Sequence, residues 1–231
     1  MSNGMIELHP SGALWLPEQG TALIADLHLG FAWAQRRRGE LWPLTDAGAR
    51  PRLEALCDQL RPKTLVLVGD IIHAPRPGPE EAQLIHETIE SLRARTELIC
   101  VAGNHDRGQH YLPEWRTSGI RAIHGDVLPP APETGTLTVV GHFHPIMKLR
   151  DASSVKRRHR AFLKGNGLLV LPAFSPFASG CDMRDDMPEQ LRNWFGKSDV
   201  DVTITSGTKL LELGRYKLRS DGFRTSRLAT R

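Results

Sequence analysis

Residues 64–73 read TLVLVGDIIH, and this stretch decides the fold. Its first five residues are β-branched or apolar over the length of a buried strand, and the Gly-Asp pair ends the run in a turn that carries a carboxylate. Two further apolar runs have the same form. Residues 21–25 precede the triplet DLH at 26–28, and residues 98–102 precede the quartet GNHD at 103–106. Each predicted strand of the first half therefore ends in polar side chains.

The segments between these strands have helical periodicity. Leu53, Leu56 and Leu60 recur at helical spacing, and the apolar residues of segment 79–95 share one helical face. Strands alternating with helices predict a βαβαβ unit with a parallel sheet at its centre. In the second half the helical signal fades, and strand-like runs follow at 120–123, 136–140, 168–171, 200–205 and 210–213. We therefore predict an α/β sandwich.

The composition is that of a single cytoplasmic domain. The chain has 231 residues, 40% of them hydrophobic and 24% charged, and no linker divides it. Its three cysteines are scattered, which excludes a disulfide framework and favours a reducing compartment. No apolar stretch approaches the roughly 20 residues of a transmembrane helix, and no signal peptide is evident, so no membrane association is expected. We expect one domain over residues 1–231, with about the last ten residues as a flexible basic tail.

Five loops carry side chains that suit a metal site. The three motifs above are joined by His124 and by the motif GHFH further on, again after predicted strands. Because ligands bind at the carboxyl ends of strands in open α/β sheets, we expect these side chains to converge. In extended chain, positions i and i+2 face the same side, so Asp26 with His28, and His142 with His144, are each expected to converge on one site. Imidazole and carboxylate ligands without thiolate favour manganese, iron or zinc.

The residue types suit a pair of divalent ions. A carboxylate has two oxygens and can bridge two ions, which an imidazole cannot. Two such ions with the carboxylates of Asp26 and Asp70 leave a net cationic site, which suits a phosphate ester. Taken singly the motifs are weak, since D-x-H is common in polar surface sequence and the glycines could serve only as turn residues. Five motifs in order, each after an apolar run, make coincidence a poor explanation.

Together the motifs D-x-H, G-D-x-x-H, G-N-H-D, a lone His and G-H-x-H resemble the signature of the calcineurin-like metallophosphoesterase superfamily. Within it, the chain resembles the PdeM/MPE-like bacterial branch encoded beside a DNA ligase or an Lhr-type helicase, whose members are DNA-damage-response endonucleases. The segments DLHLG at 26–30 and LPAF at 171–174 support that branch. Two places depart from it: Phe31 stands where a basic residue is expected, and residues 175–181 differ from a Gly/Thr-rich stretch. The resemblance implies a β-sandwich of two mixed sheets flanked by helices, with the metal site at the carboxyl ends of the strands.

The resemblance also implies a role for each motif residue. One ion would be held by Asp26, His28, Asp70 and His144, and the other by Asp70, Asn104, His124 and His142. Manganese is the expected ion, with iron and zinc as alternatives. A water or hydroxide between the ions would attack phosphorus in line while His105 protonates the leaving oxygen. Asp106 would orient the His105 imidazole, and His73 would contact the phosphate or support the ligands.

Two basic segments flank the motifs. The net charge is only +4, but residues 150–164 and 209–231 each carry a net charge of +5, so the rest of the chain is acidic. Such patches suggest a polyanionic partner. The residues expected to contact DNA are Arg36, Arg37, Arg38, Lys156, Arg157, Arg158 and Arg160, with solvated surface charge as the alternative. Nearby aromatic residues could stack on unpaired bases, although core packing or an exposed amphipathic face is expected for each of Trp33, Trp42 and Tyr111.

These patterns predict a binuclear-metal-dependent phosphodiesterase that acts as an endonuclease on single-stranded DNA in DNA repair, in functional association with a DNA ligase or an Lhr-type helicase. The alternative is a phosphoesterase on a small nucleotide or a phosphoprotein, because the same metal motifs serve all these substrates. A non-catalytic binding module on the same fold is disfavoured, since it would be expected to have lost ligands and every ligand position here is filled.

Overall fold

The first half of the chain forms a five-stranded sheet around the three predicted parallel strands. The computed structural model describes residues 6–42, 49–150, 154–219 and 222–225. The strands lie in the order β1 (Glu7–Leu8), β2 (Leu14–Leu16), β3 (Thr21–Ala25), β4 (Thr64–Val68) and β5 (Glu97–Val101). Strands β3, β4 and β5 are parallel, and β1 and β2 add an antiparallel edge. The helices of this half are α1 (Phe31–Arg37), α2 (Ala49–Leu60) and α3 (Pro79–Arg93).

The described part of the second half forms a sheet of ten strands and one helix, α4 (Glu189–Phe195). In chain order the strands are β6 (Trp115–Thr117), β7 (Ile120–Ile123), β8 (Leu137–Val140), β9 (Pro145–Arg150), β10 (Lys156–Gly165), β11 (Leu168–Val170), β12 (Cys181–Asp182), β13 (Asp199–Thr205), β14 (Leu210–Arg219) and β15 (Gly222–Thr225). The path is β15-β14-β13-β10-β11-β8-β7-β6, and β9 pairs with β10 and β12. Strands β7, β8 and β11 are parallel, so their carboxyl ends share one edge.

Side-chain alternation along the strands builds the layers. In β3, Ala22 and Ile24 pack with apolar residues of α2 and α3, whereas Leu23 and Ala25 face the second sheet. A third cluster packs α4 against the outer face of the second sheet. The order is therefore helices, sheet, sheet, helix, which confirms the predicted α/β architecture of two mixed sheets flanked by helices.

The two sheets meet at the edge where the parallel strands end. Ala25 at the end of β3 forms a parallel bridge with Ala173, which lies just beyond β11. The amide of Phe174 donates to the carbonyl of Ala25 at 2.7 Å, and that of Ser175 to the carbonyl of Asp26 at 3.0 Å. The chain leaving the second sheet therefore braces the first ligand loop of the first sheet.

Most elements with a strong local pattern lie where the sequence predicts them. The strands at 21–25, 64–68 and 120–123 are confirmed, and the helix predicted over 79–95 ends at Arg93. Edge strands β1 and β2 and the seven-residue helix α4 were not predicted, because so few residues establish no period. Of the predicted flexible tail, residues 222–225 pair with β14, and residues 226–231 lie outside the described residues. Among the helices of the described segments, none is long and apolar enough to cross a bilayer.

Candidate metal centre

The side chains predicted as ligands meet at the shared edge of the two sheets. They follow β3, β4, β5, β7 and β8, so five different strands position them. Two groups in the described chain bring three ligand atoms within 4.8 Å of one another: Asp26 with His28 and His144, and Asp70 with His124 and His142. The convergence expected from the sequence is therefore present.

Five of these residues hold an unusual backbone conformation. Asp26, His28, Asp70, His142 and His144 have φ between 43° and 66°, in the left-handed region. Non-glycine residues rarely adopt this region, and such strain is found where the surrounding structure imposes it. Asp26 and His28 share one group as expected, although they reach it from left-handed rather than extended backbone. The expected convergence of His142 with His144 is wrong. Left-handed turns direct His142 and His144 into different groups, whereas an extended strand would place them on the same side.

Two glycines of the motifs are required by close approach rather than by a turn. A Cβ added at Gly103 would lie 2.2 Å from the amide nitrogen of Asp70 and 2.4 Å from its Oδ1. A Cβ added at Gly141 would lie 2.6 Å from both Ala25 Cβ and Asp26 Oδ2. The backbone of one ligand loop thus packs directly on the carboxylate of another, and a side chain between them would push that carboxylate away.

The first group joins the two sheets. His28 Nε2 and His144 Nε2 lie 3.3 Å apart, and His144 Nε2 lies 3.5 Å from Asp26 Oδ1. Asp70 adds its Oδ2 at 3.9 Å from His28 Nε2. Both oxygens of Asp26 also accept the amide of His142, at 3.1 and 3.0 Å, which fixes the orientation of the carboxylate.

The second group is centred on His124. Its Nε2 lies 2.9 Å from Asn104 Oδ1, 3.1 Å from His142 Nδ1 and 3.5 Å from Asp70 Oδ1. The Nδ1 atom is buried without a hydrogen-bond partner, 3.7 Å from Asp26 Oδ1. A proton on Nδ1 faces that carboxylate and leaves the Nε2 lone pair directed at the group. Asp70 contributes one oxygen to each group.

These residues fit a pair of divalent ions. Nitrogen and oxygen ligands about 2.0–2.2 Å from one ion are separated by roughly 3.0–3.5 Å when the angle between them is about 90–110°. Five donor separations, from 2.9 to 3.5 Å, lie at or close to that range, and the distance of 3.9 Å from His28 Nε2 to Asp70 Oδ2 exceeds it. Side-chain packing alone does not explain why imidazole nitrogens face one another around a shared carboxylate. Their neighbouring lone pairs repel unless a cation or a proton lies between them.

Burial favours the neutral imidazole, the form that binds metals, at His28 and His124: it lowers their pKa values to about 3 and about 4. His144 differs. Burial opposes its charged form, but the hydrogen bond and charge of Asp26 outweigh burial and raise its pKa. Burial also raises the pKa of Asp70 to about 6, with the neighbouring Asp26 carboxylate adding to the effect. The pKa of Asp26 itself is lowered: burial opposes ionisation, but the hydrogen bond and charge of His144 outweigh it. Divalent cations would offset the repulsion between the two carboxylates.

His105 lies beside the two groups and is accessible. Its side chain is 36% exposed, whereas that of His28 is 6% exposed, and its Nε2 lies 3.9 Å from Asp70 Oδ2. The His105 amide donates to Asp70 Oδ1 at 2.9 Å, which ties the loop after β5 to the shared carboxylate. His73 approaches from the other side, with its Nδ1 3.4 Å from His28 Nδ1. These three imidazoles form a third cluster of potential ligand atoms.

The structure corrects the role expected of Asp106. Its buried carboxylate accepts the backbone amides of Ile71, Ile72 and Gly103, at 3.2, 3.0 and 2.9 Å. The His105 Nδ1 atom instead lies 2.7 Å from the main-chain carbonyl of His73. Asp106 therefore fixes the two loops after β4 and β5 to each other, and a backbone carbonyl orients the imidazole. The sequence alone could not show whether Asp106 orients the His105 imidazole or fixes the loops, because an acidic residue next to a histidine is compatible with both roles.

The predicted basic residues divide between structural contacts and an open groove. Arg37 pairs with the fully buried Glu81 at 2.5 Å, and Arg36 donates to a main-chain carbonyl, that of Trp42. On β10, alternation puts Lys156, Arg158 and Arg160 on one face and Arg157 on the other. Arg158 and Arg160 line a groove of about 580 Å³.

Three other residues near the centre were not predicted as site residues. Arg52 lines the same groove, and Phe31 and Phe177 pack against Trp42. Phe31 and Phe177 occupy the two places where the sequence departs from the branch pattern, and that departure was the available signal. Tyr111 packs against a core cluster as expected, and the buried indole nitrogen of Trp33 has no hydrogen-bond partner among the described residues.

Comparisons with known proteins agree with this geometry. The sequence matches the calcineurin-like phosphoesterase family over residues 21–208. The fold is similar to the crystal structure of the Pseudomonas putida nuclease MPE, with a TM-score of 0.61, 21% sequence identity, and coverage of 90% of this chain and 94% of that chain. A search of curated proteins gave no match.

Proposed function

This chain belongs to the calcineurin-like phosphoesterase family of metal-dependent hydrolases, and on that premise we propose that it is an endonuclease that cleaves single-stranded DNA with two divalent ions. One observation carries the proposal: two donor groups share Asp70 beside a groove lined by arginines. The likeness of the fold to a nuclease agrees with a nucleic-acid substrate. We further propose manganese as the ion, and action in cytoplasmic DNA repair with a DNA ligase or an Lhr-type helicase.

We assign the ligands to two ions that share Asp70. One ion would be held by Asp26, His28, His144 and Asp70 Oδ2, and the other by Asp70 Oδ1, Asn104, His124 and His142. When bound, the ions would neutralise charge on the phosphate and make a water molecule acidic enough to attack it. The chain contributes the rigid placement, because left-handed backbone and close glycine contacts hold the carboxylates before any ion arrives.

His105 is suited to protonate the leaving oxygen. Its Nδ1 proton is held by the carbonyl of His73, so Nε2 is the atom presented to the site. To act as an acid the imidazole must carry a second proton, and its Nε2 lies 3.9 Å from Asp70 Oδ2. The alkoxide that leaves from DNA is too basic to depart unaided, so this proton lowers the barrier. His73 supports this arrangement through its carbonyl and through its ring contact with His28.

The substrate is inferred from charge. The groove is lined by Arg52, Arg158 and Arg160, and each of them donates a hydrogen bond to a main-chain carbonyl. Guanidinium groups without carboxylate partners attract phosphates, and a polynucleotide offers several in a row. Arg38 and Lys156 remain candidates for further phosphate contacts on the same side.

The test compares three substrates with manganese-loaded protein: circular single-stranded DNA, linear duplex DNA and bis-(p-nitrophenyl) phosphate. We expect the circle to be cut. Because an exonuclease needs a strand end, cleavage of the circle would establish endonuclease action. Turnover of the nitrophenyl diester alone would instead favour a small-nucleotide or phosphoprotein substrate.

The same assay tests the shared carboxylate. Asp70→Ala should abolish cleavage and reduce bound manganese from two ions per chain, whereas Asp126→Ala, which removes an exposed carboxylate near the site, should leave both unchanged. An Asp70→Ala variant that retains two ions and normal turnover would refute the binuclear assignment.

A further inference from the structure

Three aromatic side chains form a cluster beside the metal centre. Phe31, Trp42 and Phe177 have ring centroids 5.2 to 5.7 Å apart, and the rings of Phe31 and Phe177 are nearly parallel at 14°. They come from the start of α1, the segment after it and the loop before β12, so only the fold brings them together. All three are partly exposed. The fold therefore leaves an aromatic surface partly accessible at this place.

The cluster is connected directly to the site. The Phe31 ring lies 4.9 Å from the His73 ring, and the His73 ring lies 5.5 Å from that of His105 and 5.3 Å from that of His28. The path from the His28 ring to the Phe31 ring has two steps of 5.3 and 4.9 Å through His73, so the aromatic surface begins within about 10 Å of a candidate metal ligand.

The cluster also borders the basic groove. Trp42 and Phe177 line it together with Arg52, Arg158 and Arg160. Arg52 and Arg160 lie close enough that the charge of Arg160, added to burial, lowers the pKa of Arg52 to about 10. Arg52 donates to the carbonyl of Ser11 and lies over the ring of Phe174, and Arg160 donates to the carbonyl of Ala173. In the described part of the chain, no carboxylate lies within ion-pair distance of either guanidinium. Two close cations without an acidic partner favour binding of an external anion.

We propose that Phe31, Trp42 and Phe177 form a stacking site for one unpaired nucleobase next to the scissile phosphate, while Arg52, Arg158 and Arg160 bind the adjoining backbone. This inference rests on the proposed function and specifies how the substrate is recognised. Every base has a flat face, so stacking of this kind accepts any sequence but requires that the base be unpaired. The site therefore accounts for selection of single strands over duplex.

The geometry also indicates how the base would stack. A base inserted between Phe31 and Phe177 would need about 6.8 Å between the two rings, twice the stacking distance of about 3.4 Å. Their centroids are 5.7 Å apart, so no base fits between them. The base would instead lie on the exposed surface of the cluster, with the Trp42 indole as the largest available face.

The experiment compares two oligonucleotides of the same length with manganese-loaded protein. One is an ordinary single strand, and the other is an abasic strand that has the same sugar–phosphate backbone without bases. Wild-type protein should cleave the ordinary strand with the higher kcat/KM. Trp42→Ala should reduce kcat/KM on the ordinary strand by about 5-fold or more and leave the abasic strand within about twofold, because removal of a stacking partner costs about that much. Trp42→Phe should recover most of the loss.

Matched variants keep the test decisive. Leu41→Ala alters a fully exposed neighbour of Trp42 and should not change either rate. Phe177→Ala should repeat the Trp42→Ala pattern from a different segment, and thermal unfolding checks that each variant is folded. Equal rates for wild type and both aromatic variants on the ordinary strand, or equal losses on both strands, would overturn the stacking site while leaving the nuclease assignment intact. Wild-type protein that cleaves neither strand would overturn the proposed function itself and this inference with it.

Discussion

Gly103 provides a test of how tightly the backbone holds the shared carboxylate. In Gly103→Ala the new Cβ would lie 2.2 Å from the Asp70 amide nitrogen, whereas such contacts are essentially never shorter than 3.0 Å, so the two loops must separate by about 0.8 Å. The φ of Gly103 is compatible with alanine, so the effect is purely steric. A displacement approaching 1 Å at a catalytic group can cost about 100-fold in rate, and overpacking typically costs about 1–3 kcal/mol of stability.

We therefore expect Gly103→Ala to lower turnover of bis-(p-nitrophenyl) phosphate about 100-fold and to lower the melting temperature by about 2–12 °C, since 1 kcal/mol corresponds to about 2–4 °C in a chain of this size. Gly78→Ala is the matched control, because its added Cβ meets no atom within 4 Å and its φ is −68°. Calorimetry, a turnover assay and metal analysis of the purified proteins provide the three readouts. Wild-type turnover and melting in Gly103→Ala would show that the loops are not tightly packed and would refute the reasoning.

Three further results are expected. His105→Ala should retain its bound metal but lose far more activity on DNA than on the nitrophenyl diester, whose phenolate leaves without help; equal losses would point to phosphate binding instead. Arg158→Ala should weaken single-stranded DNA binding and flatten the slope of log binding constant against log salt concentration by up to about 0.7. Arg157→Ala makes the same charge change on the opposite face of β10 and should leave the slope near wild type. Indistinguishable slopes for the two variants would show that DNA does not bind along the groove. In metal-free protein the lowered pKa values of His28 and His124, about 3 and 4 against 6.5 in the unfolded chain, mean that their neutral forms stabilise the fold fully above pH 6.5. Denaturant unfolding should show stability falling from pH 6.5 towards 4, by up to about 1.4 kcal/mol per pH unit for each imidazole. The raised pKa values of Asp70 and Asp106 oppose this fall, and the lowered pKa values of His73 and His142 add to it. A flat profile would contradict the neutral, buried state.

The composition of the metal centre could be predicted from the sequence because its signals are local. Each candidate ligand stands within a few residues of an apolar run, and the carboxyl end of a parallel strand is a fixed place in the fold. Asp70 illustrates this: its strand, its glycine and its side chain lie in one segment of ten residues.

The division of labour within the centre could not be derived from the local pattern. The spacing of GHFH predicted that His142 and His144 converge on one site, and only the family resemblance implied that they serve different ions. No feature of those letters specifies the left-handed backbone that separates them. The partners of Asp106 are backbone amides of another loop, which carry no sequence signal.

The aromatic cluster illustrates a different limit of sequence reasoning. Phe31, Trp42 and Phe177 are far apart along the chain and follow no common period, so their association depends entirely on the packing of three segments. Only the tertiary structure could identify them as one surface.

The bridge between Ala25 and Ala173 has a consequence for biogenesis. It joins residues from opposite ends of the ligand-bearing region, and contacts of such long sequence separation form late in folding because a large loop must close first. A nascent chain that has emerged only as far as His144, the last of the candidate ligands, lacks the segment that braces Asp26 from the second sheet. The complete donor set with its brace therefore becomes available only after Ser175 has been synthesised and both sheets have formed.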